Sequence, residues 1–331
     1  MRRAGASLLA LIVAAALCAP WLAVHPAGEQ HRGYVFAPPM PVHVVGPDGR
    51  LRWPFIHPLR LEDRLSRTYA ADRARLVSLV VGADGRLLGT GPFDEAPWFP
   101  LGTDSLGRDV WSRLVLGARV SLGLAAAACL VALILGALLG GWAGATGGVL
   151  DEVLMRAAEF VYVLPALYVV LVLRASLPLV LPASTLFLLL TGVLAVVGWP
   201  QVARGVRAVV AAEAGRDYAA AARAAGSSRA RVLVRHLLPA SLPHLATQAL
   251  LLAPAFILAE ATLSYVGLGF MPPAASWGTM LQEAANVRAI ADMPWVLTPA
   301  VAIAVVVLAL NLMLGDEPPG VLDTPRARSG E

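Results

Sequence analysis

Long apolar stretches separated by polar segments are the main pattern along the 331 residues of the chain. A helix that crosses a bilayer needs about 20 mostly apolar residues, because the hydrocarbon core is about 30 Å thick. The pattern therefore predicts an all-α polytopic membrane protein with six transmembrane helices. They are expected at roughly residues 7–24, 119–142, 154–174, 183–200, 244–268 and 295–314.

The first apolar stretch has a second interpretation. Arg2 and Arg3 precede it, and a basic start followed by apolar residues is also typical of a cleaved signal peptide. We favour a membrane helix, because the stretch is long for a signal peptide. An even number of crossings also lets both termini lie on the same side of the membrane.

In the second stretch, glycines are spaced for close helix packing. Gly136 and Gly140 lie four residues apart, the small-xxx-small spacing that allows two membrane helices to approach closely. We predict that this face packs against another helix.

A small folded insertion is predicted between the first two helices. Residues 25–116 are too many for a simple connection. Within them, residues 44–51 and 80–87 repeat an Asp-Gly step between apolar residues, which favours a β-hairpin. We expect a β-containing cap with two hairpins. A proline-rich, loosely ordered loop is the alternative.

Arginine placement predicts the orientation. Loops rich in Lys and Arg tend to stay in the cytoplasm, and the loop at residues 201–243 carries seven arginines against Glu213 and Asp217. They are Arg204, Arg207, Arg216, Arg223, Arg229, Arg231 and Arg235. We therefore predict that this loop and both termini are cytoplasmic, in an inner-membrane protein.

The same loop predicts two short helices and a sharp corner. Residues 202–225 are rich in alanine, the best helix former. Gly226 then interrupts, and glycine readily takes the left-handed conformation that ends a helix. The serines at 227–228 can cap a second helix, which is expected to stop at Pro239. Such an element could dock on a partner protein or lie on anionic lipid.

The amino-acid composition supports a membrane environment and argues against an ATP-binding site and a metal site on this chain. Hydrophobic residues make up 58% and charged residues 15%, whereas soluble domains hold about 25% charged residues. All 26 basic residues are arginine, and a P-loop needs a lysine, so no ATP site is expected on this chain. Neither the two cysteines nor the six histidines show metal-ligand spacing, and no catalytic residue is predicted. For the function of such a membrane protein, a membrane-embedded enzyme and a passive channel are two of the interpretations to be considered.

Several motifs resemble a known family. Residues 217–226, with Asp217, Ala220, Ala221, Ala222, Arg223 and Gly226, and then His236 and Pro239, resemble the EAA loop of ABC importer permeases. Ala220 stands where the motif has Glu. The resemblance implies a MetI-like type-1 permease core and a coupling helix that sits in a cleft of a separate ATPase subunit.

Other motifs narrow the resemblance to the dipeptide/oligopeptide/nickel branch, in its second-permease type. They span roughly residues 98–323 in addition to the first helix. The matching positions are 101–114; Asp151, Met155, Arg156, Glu159 and Pro165; Glu260, 263–269, 272–273 and 276–278; and 294–295, Asn311 and 315–316.

The resemblance implies a pore-forming subunit that carries a peptide-like or other small solute. The implied partners are a second permease, two cytoplasmic ATPase subunits that bind the ATP, and an extracytoplasmic solute-binding protein; nucleic acid is not expected. The chain would divide into a first helix (1–24), the cap (25–116), a permease domain (117–315) and a cytoplasmic tail (316–331).

Four charged residues outside the loop are further candidates. Asp104, Arg108 and Asp109 precede the second helix and could cap and anchor it, or contact the binding protein or a gate. Glu260 is an ionisable residue at membrane depth, which makes it a functional candidate, although hydrogen bonding near Gly267 and Ser276 would give it a structural role. Two further residues, Arg156 and Glu159, are spaced for an ion pair three residues apart.

Overall fold

The computed structural model describes most of the chain. The described residues are 1–46, 49–63, 66–81, 88–90, 96–176, 178, 181–271, 274–285 and 292–314. Several predictions lie wholly or partly outside these residues. They concern the Asp-Gly steps at 48–49 and 84–85, the prolines at 272–273, the residues at 315–316 and the tail at 316–331.

Within the described residues the chain is mainly helical. The α-helices are α1 (Arg2–Leu17), α2 (Ala19–Leu22), α3 (Val110–Thr146), α4 (Gly148–Val163), α5 (Ala166–Ala175), α6 (Ala183–Ala214), α7 (Asp217–Ala224), α8 (Arg229–Val232), α9 (Leu242–Tyr265), α10 (Trp277–Ala284) and α11 (Thr298–Leu314). Short 3-10 turns lie at Arg32–Tyr34, Leu238–Ser241 and Pro294–Leu297, and a π-helical turn at Leu233–Leu237.

Among the described residues, four helical segments are long and apolar enough to cross a membrane: Val110–Thr146, Ala183–Ala214, Arg229–Tyr265 and Pro294–Leu314. They correspond to four of the six predicted crossings. The third prediction corresponds to α4 and α5, which are bent by 84° relative to each other and count as a fifth span only if taken together.

The first predicted crossing is built from two helices. α1 has 16 residues, so it is about 24 Å long and shorter than a full span by itself. α2 continues the path as far as Leu22. The pair joins both ends of the bundle: the Arg2 side chain donates to the Met313 carbonyl oxygen at 2.9 Å, and the Val24 N–H donates to Ser112 Oγ at 2.8 Å.

The predicted close helix contact is confirmed between α3 and α6. A methyl group built on Gly136 would overlap the Val202 side chain, and one on Gly140 would overlap the backbone of Ala203. One turn later, Gly144 lies equally close to the backbone of Arg207. Glycine is needed at these positions because the two backbones nearly touch, and α3 and α6 thereby form the centre of the core.

The described part of the cap contains six strands in two sheets. A four-stranded sheet has the order β1–β2–β5–β6, and β3 pairs with β4. The strands are β1 (His43–Val45), β2 (Leu51–Ile56), β3 (Leu59–Asp63), β4 (Thr68–Ala71), β5 (Val77–Val81) and β6 (Leu88–Thr90). Pairing is antiparallel, with Val45 opposite Leu51 and Val81 opposite Leu88. Strands therefore pair on both sides of the two Asp-Gly steps, as the folded cap predicts.

A small apolar core holds the cap to the chain that enters α3. Its buried members are Val24, Met40, Ile56, Val77, Leu79, Ala96, Trp98 and Phe99. The Trp98 indole donates to the Met40 carbonyl oxygen at 3.1 Å, so its polar atom is satisfied in the interior. We call the end of the bundle where α3 begins the cap end, and the end where α3 stops the loop end.

Candidate functional site

The arginine-rich loop at the loop end is not one helix over residues 202–225, as the alanine content predicted. α6 continues to Ala214, and the chain then turns at Gly215 and Arg216 before α7 begins. The Arg223 guanidinium donates to the Ala214 carbonyl oxygen at 3.0 Å, and Tyr218 donates to Glu213 at 2.7 Å. Both bonds join the end of α6 to a side chain of α7, and one continuous helix would hold these groups too far apart to form them. The two bonds therefore fix α7 against the end of α6.

The corner after α7 has the geometry that its sequence predicts. Gly226 has a φ of 82°, in the left-handed region. Its N–H donates to the Arg223 carbonyl oxygen at 3.0 Å, and the Ser227 N–H donates to that of Ala222 at 3.1 Å. This pair of bonds is the Schellman arrangement. Ser228 then caps α8 by accepting from the Arg231 N–H at 3.4 Å.

The predicted stop at Pro239 is wrong. Helical chain continues from α8 through the π-helical turn and the 3-10 turn into α9, so Arg229–Tyr265 is one long helical segment. Pro239 lies at the start of the 3-10 turn. It follows the π-helical turn, where the hydrogen bonding already departs from the regular α-helical pattern.

The side chains of α7 face away from the protein. Of this helix only Ala219 is buried; Asp217, Ala220, Ala221 and Arg223 are exposed, and Ala222 is partly buried. Because Ala220 ends in a methyl group, the charge of the motif's Glu is missing from this surface. The hydrogen bond to Glu213 raises the pKa of Tyr218, which favours the neutral donor form of this phenol.

Of the two further residues of the motif, His236 lies near α7. His236 is exposed in the π-helical turn, and its ring centroid lies 6.4 Å from that of Tyr218. Pro239 is also exposed. The loop thus brings α7, the Gly226 corner and His236 to one surface.

An ion pair that the sequence analysis did not predict braces this end of the bundle. Arg207 of α6 makes a bidentate pair with Asp151 of α4, with Nη2 2.6 Å from Oδ2. The fork of an arginine matches a carboxylate in this way and holds both in fixed orientation. The predicted pair of Arg156 with Glu159 is not formed; Arg156 instead pairs with Glu152, four residues earlier, at 2.9 Å.

At the cap end, Asp104 and Arg108 belong to a buried cluster with two residues that the sequence analysis missed. We call Asp104, Arg108, Arg113 and Glu283 the cap-end charge cluster. Arg108 lies 2.8 Å from Asp104 and 2.6 Å from Glu283, and Arg113 contacts both carboxylates. The cluster joins the turn before α3 to α10, across 170 residues of sequence.

Asp109 occupies the N-cap of α3. Its carboxylate accepts from the Ser112 N–H at 2.9 Å and from the Trp111 N–H at 3.3 Å. Burial raises the pKa of Asp109 to about 6, because desolvation outweighs these hydrogen bonds. The geometry of Asp104, Arg108 and Asp109 supports the capping and anchoring interpretation, since all three are buried.

Glu260 is fully buried between three helices. Ser121 of α3 and Ser264 of α9 each donate to its carboxyl group at 2.8 Å. Ser121 also accepts from the Trp277 N–H of α10 at 3.1 Å, so the network reaches the start of that helix. These partners support the structural interpretation, with Ser121 as a partner that the sequence analysis did not anticipate.

A family model and several known proteins are similar to this chain. A family model described as "Binding-protein-dependent transport system inner membrane component" matches residues 115–315, more than half of the chain. A solved structure of the inward-facing MetNI methionine ABC transporter aligns with 60% of this chain and 91% of its own, at a TM-score of 0.48 and 18% identity.

Curated relatives match over longer stretches. The oligopeptide transport system permease protein OppC of Bacillus subtilis (strain 168) is 35% identical over 238 residues, which are 72% of this chain and 74% of the relative. The di/tripeptide transport system permease protein DppC of Pseudomonas aeruginosa (strain UCBPP-PA14) is 32% identical over 93% of this chain and 83% of its own length. The chain therefore belongs to the family of binding-protein-dependent transport system inner membrane components and is a pore-forming permease of an ABC importer.

Proposed function

We propose that this permease moves a peptide-like or other small solute across the cytoplasmic membrane, driven by a separate ATPase subunit that docks on residues 217–231. The observation that carries the docking site is the exposed face of α7 held at a fixed corner. An exposed helix can lay one face into a groove of a partner, and α7 is bonded to α6, which runs into the bundle core. A force applied to α7 would therefore be transmitted through α6 to the helix bundle.

The side chains of α7 favour a protein partner over lipid. A helix that lies on a membrane surface needs bulky apolar residues on one face. α7 exposes Ala220, Ala221 and Ala224, together with Asp217 and Arg223 of opposite charge. Small residues allow close approach, and a charge of each sign can fix the orientation of a docked protein.

The solute class is taken from the relatives. The names of OppC and DppC describe transport of oligopeptides and of di- and tripeptides. By the same likeness, the proposed assembly holds a second permease, two ATPase subunits that bind the ATP, and an extracytoplasmic solute-binding protein.

We further propose six crossings, with the loop end in the cytoplasm and the cap outside. The path from α1 to α2 supports the first crossing, since Gly5 packs against Ala309 at the loop end and Val24 bonds Ser112 at the cap end. The contact of Arg2 with Met313 puts the start of α1 and the end of α11 at the same end. The arginines of the loop favour the cytoplasmic side.

Cysteine labelling tests this orientation. In a variant with Cys18→Ala and Cys129→Ala, a Ser227→Cys change should react with a membrane-impermeant maleimide only after the membrane is opened. A Ser66→Cys change on the exposed cap should react from the outside without opening. Labelling of residue 227 from the outside would contradict the orientation and the docking site together.

Substitutions at Gly226 test the corner. A Cβ at this position would meet nothing within 4 Å, so only the positive φ opposes a side chain. The left-handed conformation costs an ordinary residue about 1–2 kcal/mol, more for a β-branched one and less for Asn. We expect Gly226→Val to lower uptake and solute-stimulated ATPase activity roughly tenfold in the reconstituted complex, and Gly226→Asn to retain most of both.

Gly215 provides the matched control in the same loop. Its φ is −81° with ψ −7°, which any residue adopts, so Gly215→Ala should leave uptake nearly unchanged. If Gly226→Val assembles normally with its partners and transports like the parent, the corner does not transmit force from the ATPase and the docking proposal is wrong.

A further inference from the structure

Three residues at the base of the cap form a cluster that has no role in the proposed coupling. His25, Glu29 and His31 offer one ligand atom each, and these atoms all lie within 4.8 Å of one another. His25 Nδ1 is 3.7 Å from one Glu29 oxygen, and His31 Nε2 is 3.4 Å from the other. The sequence predicts no metal site here, because this spacing matches no recognised motif.

The two distances to Glu29 are close to those of a zinc site. Zinc bonds to histidine nitrogen and carboxylate oxygen are about 2.0–2.2 Å long, and tetrahedral geometry then separates neighbouring ligand atoms by about 3.4 Å. The Glu29 side chain is 43% exposed, so it can adjust its position when an ion enters. The two imidazoles are mostly buried, at 11% and 18% exposure.

Surrounding groups hold both imidazoles in place. His25 Nε2 lies 3.0 Å from the Trp98 carbonyl oxygen. If Nε2 carries the proton and donates there, Nδ1 presents a lone pair toward Glu29, which is the usual arrangement of a metal-bound histidine. Both rings also pack on the buried Phe99, with centroids 5.5 and 5.1 Å from its ring.

His31 directs its Nε2 atom toward Glu29, and its Nδ1 atom is buried without a hydrogen-bond partner in the described part of the chain. An ion bound at Nε2 does not satisfy Nδ1, because one imidazole binds an ion through one nitrogen. A buried polar atom of this kind commonly has a water beside it.

We propose that His25, Glu29 and His31 bind a divalent transition-metal ion of the zinc type. Two imidazoles and one carboxylate suit zinc better than calcium or magnesium, which prefer oxygen ligands. The three protein ligands leave a fourth position for water. The inference is independent of the proposed docking of an ATPase, because it concerns the opposite end of the bundle.

The site would fasten the first crossing to the start of α3. The His31 N–H already donates to the Gly107 carbonyl oxygen at 3.0 Å, and the His25 N–H donates to Ser112 Oγ at 2.9 Å. A bound ion would add a third link between the segment at 25–31 and this junction. Because an ion that binds only the folded state stabilises it, zinc should raise the unfolding temperature.

Zinc binding to the full chain tests the proposal. The protein would be purified through a tag without histidine, stripped with EDTA and placed in nanodiscs. Equilibrium dialysis against zinc alone, with metal analysis, should then give about one tightly bound ion per chain. Glu29→Gln and His31→Gln should each weaken zinc binding by more than roughly tenfold and abolish the zinc-dependent rise in unfolding temperature.

His43 and His57 provide the matched control on the same cap. Their rings lie 5.2 Å apart, and neither is part of the cluster. The double change His43→Gln and His57→Gln should bind zinc like the parent. The proposal is overturned if the parent binds no zinc, or if Glu29→Gln binds as tightly as the parent. Loss of zinc in the control alone would place the ion elsewhere on the cap. Glu29→Gln keeps the test valid if His31→Gln does not fold, since Glu29 is exposed.

Discussion

Replacing Arg113 by methionine is expected to lower the free energy of unfolding by about 3–5 kcal/mol. Its guanidinium contacts Asp104 and Glu283, with Nη2 3.1 Å from Glu283 Oε1. After the change, two carboxylates at the cap end would share only Arg108. An uncompensated charge in a partly buried site is far more costly than the loss of a surface pair. Denaturant unfolding in detergent, followed by tryptophan fluorescence, measures the difference.

Arg156→Met is the control, because Arg156 and Glu152 form a pair that is 75% and 62% exposed. Such surface pairs contribute about 0–1 kcal/mol. A second arm restores the charge balance: Arg113→Met combined with Glu283→Gln leaves Arg108 opposite Asp104 and should recover part of the loss. If Arg113→Met and Arg156→Met cost the same, the cap-end charge cluster does not stabilise the junction.

Gly140→Leu is expected to have the second large effect. A side chain there would enter the backbone of Ala203, so α3 and α6 would have to move apart along the central contact of the core. Overpacking by a side chain typically costs about 1–3 kcal/mol, and more where backbone must move. We expect a yield of folded protein well below that of the parent, and a clear fall in the unfolding temperature in detergent.

Gly123 lies in the same helix and provides the control, since a Cβ there would meet nothing within 4 Å. Gly123→Leu makes the same chemical change in α3 without the close neighbour, so it should leave stability nearly unchanged. Equal loss in both variants would mean that glycine acts through helix flexibility rather than through contact with α6.

Local signals predicted much of this fold. Four apolar stretches correspond to described helices of membrane length, and strands pair on both sides of the two Asp-Gly steps. The corner at Gly226 was also predictable. A glycine after an alanine-rich segment favours the left-handed conformation, and the hydrogen bonds that form the corner involve only neighbouring residues. In each case the decisive interactions lie within a few residues of sequence.

The remaining features depend on distant neighbours. Helix propensity favoured one helix through Gly215, but hydrogen bonds between α7 and the end of α6 stabilise a turn at this position. The pairing of Arg113 with Glu283 crosses 170 residues, and no spacing rule predicts it. Likewise, His25 and His31 converge because Phe99 and Gly107 hold the segment in place. The polar residues of the candidate sites are therefore easier to predict from the sequence than their distant partners.

The packing of Gly5 against Ala309 and Met313 has a consequence for biogenesis. The two surfaces are about 300 residues apart in the chain, so they can meet only after α11 has been synthesised. Until then, the face of α1 that carries Gly5 lacks this packing partner. A chain that lacks α11 would keep that face uncovered, and we expect it to be a target for membrane quality-control proteases.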